Sequence, residues 1–87
     1  MDKIVKEMKK TITILVFGSL RRFEEQIKNH PIYLDSNKKI AVRDLIQRLE
    51  IPTTEIALIN VNKTAVDEKY MVKAGDTISI YSPVGGG

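Results

Sequence analysis

This sequence predicts an α+β fold, a mixed sheet of four to five strands packed on one main helix. Three observations carry the prediction. Residues 11–17 and 77–81 alternate apolar and polar side chains, the period of a half-buried strand. Residues 42–49 place Val42, Leu45, Ile46 and Leu49 at i, i+3, i+4 and i+7, a single apolar helical stripe. The chain has 87 residues, which is the size of one domain.

The elements follow in order. Residues 1–8 carry mixed charge and no core pattern, and read as a leader. Disorder, an extension of the first strand and a short helical arm all fit it, and Met8 is a second candidate start. Residues 11–17 form a β-branched strand with Ile12, Ile14 and Val16 on its buried face. Gly18 breaks it, and Ser19 is placed to cap a short helix in which Leu20, Phe23 and Ile27 face inward. His30-Pro31 ends that helix, because the residue before proline is pushed out of helical geometry. Residues 32–35 read as a second strand and 36–39 as a loop. The main helix spans 42–49; Ala41 is a poor N-cap, Asp44 suits the helix dipole, and Pro52 is the expected stop. Residues 55–62 read as a third strand, which Asn62-Lys63 turns into a brief fourth near Ala65-Val66. Residues 67–74 read as an irregular link anchored by Tyr70 and Val72, and Gly75-Asp76 leads into the last strand, 77–81.

One long helix against a mixed sheet in this order is the β-grasp arrangement. Its first and last strands should lie side by side and parallel at the centre, with the crossover between them covered by the helix. The body is then residues 9–84, and residues 85–87 form a flexible glycine tail.

Composition excludes several kinds of chemistry. Hydrophobic residues make up 43% and charged residues 29%, as in ordinary globular domains. No apolar run approaches the roughly 18 residues of a membrane span, and no signal-peptide pattern opens the chain, so the expected compartment is the cytoplasm. Cysteine is absent, which rules out disulfides, zinc–thiolate sites and a cysteine nucleophile. The net charge is +3, and six of fourteen basic residues (Lys3, Lys6, Lys9, Lys10, Arg21, Arg22) fall in the first 22 positions. They lack aromatic interleaving and any nucleic-acid motif, so they point to a solvated surface or an acidic protein partner rather than nucleic acid. Arg21 and Arg22 either solvate their turn or contact that partner. His30 stands alone in a loop, and the carboxylates Glu24-Glu25, Glu50, Glu55 and Asp67-Glu68 are scattered, so no acid–base pair, metal set or bound cofactor is expected. The tail glycines have no helix after them to complete a phosphate cradle.

Gly85, Gly86 and Gly87 themselves allow two readings. One is a flexible end. The other is a threading strip: glycine has no side chain and adopts nearly any backbone geometry, so it can enter a channel too narrow for other residues and present a carboxylate there.

The wider pattern bears on that choice. Gly75-Asp76, an apolar strand and then Ser82-Pro83-Val84-Gly85-Gly86 resemble the end of the ubiquitin-like sulfur carriers, above all the small subunit of molybdopterin synthase. That family closes with a Gly-Asp turn, an apolar strand, a proline-containing pair and a diglycine. Ile14-Leu15-Val16-Phe17-Gly18-Ser19-Leu20-Arg21-Arg22 is similar to its first strand and arginine-containing turn, and Val42-Arg43-Asp44-Leu45-Ile46 through Pro52, with Ile59-Asn60-Val61-Asn62, to its helix and third strand. The resemblance covers residues 9–87. The ending Val84-Gly85-Gly86-Gly87 looks more like the thiamine sulfur carrier; Ser82 stands where the molybdopterin family often has proline, and the basic leader belongs to neither.

The resemblance implies a carrier, not an enzyme. It implies that a ubiquitin-activating-type adenylyltransferase binds the face around Phe17, Tyr81, Pro83 and Val84 and uses ATP to adenylate Gly87. A sulfurtransferase then supplies sulfur, and the resulting thiocarboxylate enters the large subunit of molybdopterin synthase or, for a thiamine-type carrier, a thiazole synthase. Gly85 and Gly86 give clearance, and Pro83 stiffens the exit. Plain sheet packing is the alternative role for Phe17 and Tyr81. A ubiquitin-like protein modifier and a β-grasp binding module with an idle tail are the alternatives for the whole chain.

Overall fold

The computed structural model describes residues 10–83; the leader, residues 1–8, lies outside them. Its elements are β1 (Lys10–Thr11), β2 (Thr13–Phe17), a 3-10 turn (Gly18–Phe23), α1 (Glu24–Asn29), β3 (Tyr33–Leu34), β4 (Lys39–Ala41), α2 (Val42–Arg48), a second 3-10 turn (Thr53–Glu55), β5 (Leu58–Val61), β6 (Thr64–Val66), β7 (Met71–Lys73) and β8 (Thr77–Tyr81). The main sheet has the order β2-β8-β5-β6, in which β2 and β8 run parallel and the other pairs antiparallel. Two short ladders, β1-β3 and β4-β7, complete the mixed β-grasp fold expected from the element order.

The first and last strands are side by side and parallel, as expected, but only β8 is central; β2 forms an edge of the main sheet. The reason lies in the backbone alternation. The Ile12 N–H donates to the Ile32 carbonyl (3.1 Å), whereas the Thr13 N–H donates to the Asp76 carbonyl (3.1 Å). The start of the first strand is therefore shared between β3 and β8. Farther along, the same alternation turns the backbone groups of Ile14 and Val16 away from β8. The helical stretch 18–29 packs beside that edge and leaves Val16 only 4% exposed.

Fully buried side chains come from every layer: Leu20 from the 3-10 turn, Val42 and Leu45 from α2, Val72 from β7, Ile78 and Ile80 from β8. The stripe Val42, Leu45, Ile46 and Leu49 is buried as predicted. Ala41 supplies no side-chain cap; instead, backbone carbonyls of the link that leads into β7 accept from the first turn, Val42 N–H donating to Tyr70 O and Arg43 N–H to Glu68 O, both at 2.9 Å. Pro52 is not what stops the helix. Glu50 already adopts φ +58, and Ile51 N–H to Ile46 O (3.3 Å) with Glu50 N–H to Gln47 O (3.1 Å) closes a Schellman motif.

Other expectations need correction. Residues 67–74 are not wholly irregular: β7 pairs Lys73, Val72 and Met71 with Lys39, Ile40 and Ala41 of β4. Val72 is the anchor, while Tyr70 is exposed. The third strand starts at Leu58 rather than residue 55, because Thr53–Glu55 winds into a 3-10 turn. Ser19 does not cap a helix with its side chain. The Asn62-Lys63 turn and the strand after it are as expected; both turn residues have positive φ (52° and 75°), the type I′ geometry that matches strand twist.

Candidate functional site

β8 carries the chain to Ser82 and Pro83, the last described residues, and the segment with the glycines continues from there. Alternation on β2, β8 and β5 sends every second side chain to the outer face of the sheet. Register then places Phe17, Tyr81 and Leu58 in one row across three strands at the exit end, with Leu15, Ser79 and Asn60 in the row below. Leu15 is 43% exposed, Phe17 38% and Leu58 44%. The result is an apolar outer surface that adjoins the chain's exit. Phe17 and Tyr81 stack on each other, ring centroids 4.6 Å apart and planes 10° from parallel. They are outer-face residues and take no part in the core.

Polar contacts tie three strand ends together at the same place. The Ala57 N–H donates to the Tyr81 carbonyl at 2.8 Å, and the Ser19 N–H donates to Ser82 Oγ at 3.2 Å. Arg22 donates from Nη1 to the Ser19 carbonyl (3.0 Å) and from Nη2 to both oxygens of Glu55 (2.6 and 2.7 Å). Its guanidinium also lies 4.6 Å from the Phe23 ring centroid. Among the described residues Arg21, by contrast, pairs with its neighbour Glu24, at 3.6 Å across two exposed side chains.

The other end of β8 is anchored by a buried carboxylate. Asp76 accepts from the Lys73 N–H (2.9 Å), Asn62 Nδ2 (3.0 Å) and Lys73 Nζ (3.3 Å). Burial pushes its pKa up, but these hydrogen bonds and the Lys73 charge outweigh burial and hold it below the ordinary aspartate value. Asn62 completes the link by accepting the Thr77 N–H at 3.0 Å through Oδ1. These contacts tie down both ends of β8, from Asp76 to Ser82.

Of the residues singled out from the sequence, Phe17 and Tyr81 are brought together, and Pro83 is exposed beside them. Val84, Gly85, Gly86 and Gly87 lie outside the described residues. The sequence reading missed Leu15 and Leu58, whose signal was available: both are large apolar residues on the polar phase of an alternating strand. It also missed the Arg22–Glu55 pair, for which residues 33 apart give no local signal. His30 is exposed, its Nδ1 3.2 Å from the Gln26 carbonyl at the end of α1. Among the described residues no group of His, Asp and Glu is arranged to hold a metal ion, and no helix is long and apolar enough to cross a membrane.

No curated protein is significantly similar to the chain. Among solved structures, it is similar to the solution structure of Urm1 from Trypanosoma brucei. The match has a TM-score of 0.57 and 18% identity, and covers 91% of this chain and 97% of that one. At that identity the likeness speaks for the fold, and it agrees with the ubiquitin-like β-grasp described above. The Mut7-C ubiquitin family model matches residues 9–84, nearly the whole body of the molecule, and the chain therefore belongs to the Mut7-C ubiquitin family.

Proposed function

We propose that this protein is a sulfur carrier that works from the carboxyl group of Gly87 and donates sulfur in molybdopterin biosynthesis. The observation that carries the proposal is the apolar row Phe17, Tyr81 and Leu58 beside the exit of the glycine-bearing segment. A carrier needs a surface that an activating enzyme grips while the tail reaches that enzyme's nucleotide. An exposed apolar patch next to the tail suits that role.

The chemistry is acyl activation. The Gly87 carboxylate attacks the α-phosphorus of ATP within a ubiquitin-activating-type adenylyltransferase, and pyrophosphate leaves. A sulfur nucleophile supplied through a sulfurtransferase, at the oxidation level of sulfide, attacks the acyl carbon, and AMP leaves. The product is a thiocarboxylate, which the large subunit of molybdopterin synthase consumes. This chain contributes binding and presentation: the outer face docks, Pro83 and Val84 lead out, and Gly85 and Gly86 pass through a narrow channel. No cysteine is required, and the sequence holds none.

The ubiquitin-like fold equally suits a second outcome for the same adenylate, transfer to a lysine amine on another protein. Intact mass after incubation with ATP, the cognate adenylyltransferase and a sulfur source tests the first reading. Exchange of one oxygen for sulfur at the C-terminus is the expected result, and unchanged mass with an active partner overturns it. Denaturing gels of the native host, probed for higher-mass conjugates, test the second.

A further inference from the structure

We infer that Arg22 is a positioning residue that sets the direction in which the chain leaves the sheet. The inference rests on the carrier reading for its consequence, but on geometry alone for its substance. Ser19 is held at both ends of its own backbone: its N–H donates to Ser82 Oγ at 3.2 Å, and its carbonyl accepts from Arg22 Nη1 at 3.0 Å. Arg22 is fixed in turn by both oxygens of Glu55, at 2.6 and 2.7 Å. Ser82 is the residue directly after β8, and its hydroxyl accepts from the turn that follows β2. The chain Glu55–Arg22–Ser19–Ser82 therefore joins the approach to β5, the turn after β2 and the end of β8.

Arginine suits this geometry: its planar fork donates to the carbonyl from one nitrogen and to the carboxylate from the other, whereas lysine must serve both acceptors from a single nitrogen at a shorter reach. If Ser82 were free, an activating enzyme would have to order one more residue on binding the tail. Ordering one residue's backbone is worth roughly a tenfold change in association.

The test uses the full chain. In wild type the Ser82 amide is expected near the rigid order parameter of about 0.85, and in Arg22→Ala it falls toward about 0.6, with amides away from the 18–23 turn and Glu55 unchanged. Arg22→Lys falls between wild type and Arg22→Ala, because one nitrogen must serve both acceptors. The charge swap Arg22→Glu with Glu55→Arg restores the ion pair but places no donor on the Ser19 carbonyl, so Ser82 stays loosened. A merely structural salt bridge would be rescued by that swap. ATP–pyrophosphate exchange with the cognate adenylyltransferase should show KM for Arg22→Ala raised roughly tenfold with kcat little changed. An unchanged Ser82 amide in Arg22→Ala, or its full rescue by the swap, overturns the inference. If wild type supports no exchange at all, the carrier reading falls, while the order parameters still decide the role of Arg22.

Discussion

Phe17 and Tyr81 are register partners on parallel strands, and their rings stack at 4.6 Å with planes 10° apart. Neither ring fills the core, so their contribution to folding should be modest. An offset aromatic pair is worth about 0.5–1.5 kcal/mol beyond area burial. We predict that Phe17→Ala and Tyr81→Ala each leave a folded protein, with a coupling energy in that range by double-mutant cycle in urea. Both should weaken binding to the activating adenylyltransferase at least tenfold, since such rings are the usual anchors of an interface. Calorimetric titration of folded variants checks this; undiminished affinity would assign the pair to sheet packing alone.

Asn62 and Asp76 predict an acid limb. The Asp76 pKa is held down in the folded state, so folding is strengthened by its charge above the unfolded value of about 3.9. That contribution is intact at neutral pH and is lost as pH falls from about 4 through the depressed value. Asp76→Ala leaves the Lys73 N–H and the Asn62 amide without their acceptor, at a loss of about 1–3 kcal/mol at pH 7. The urea midpoint of wild type should drop between pH 5 and pH 3 more steeply than that of the variant. Parallel curves would show that the carboxylate's charge is not engaged.

The fold was legible where a pattern was long enough to repeat. The Val42–Leu49 stripe and the alternation in β2 and β8 each span several periods, and each was placed correctly. β4 and β7 were missed because three residues show no period and, unlike the equally short β6, they are not joined by a tight turn; their pairing is made by Ile40 and Val72 meeting across a non-local ladder. The helix stop was misassigned to Pro52 because a left-handed glutamate at Glu50 has no propensity signal. At the site, Phe17 and Tyr81 were named through the family resemblance alone, and the register then sets them side by side at the ends of two parallel strands. Arg22 and Glu55 could not be paired in advance, because ion pairing across the chain leaves no trace in local spacing.

Left-handed backbone at ordinary residues gives a stability prediction. Glu50 (φ +58) and Lys63 (φ +75) are exposed, and neither side chain has a partner among the described contacts. Replacing either by glycine removes the clash of Cβ with the carbonyl, a gain of about 0.5–1 kcal/mol per site. The converse holds at Gly75, where φ is +92 and a Cβ would meet nothing within 4 Å. Gly75→Ala should therefore cost about 1 kcal/mol through backbone conformation alone. Urea denaturation of the three variants tests the set. Stabilisation by Gly75→Ala would contradict the assigned turn.

The tail separates a carrier from a binding module. If the working group is the Gly87 carboxyl, Gly86→Val should leave the melting temperature of the body unchanged, because the buried core runs from Ile12 to Ile80. The same variant should abolish thiocarboxylate formation, since a β-branched side chain widens the strip that has to thread the activating site. Adding one residue after Gly87 should have the same effect for a different reason: the carboxyl moves about 3.5 Å beyond the position where it meets the nucleotide. The two variants act independently, one on clearance and one on reach. A module that binds through its sheet face alone would tolerate both. Intact mass and adenylyltransferase affinity, measured on the same samples, distinguish the cases: retained docking with lost sulfur transfer is the result expected of a carrier.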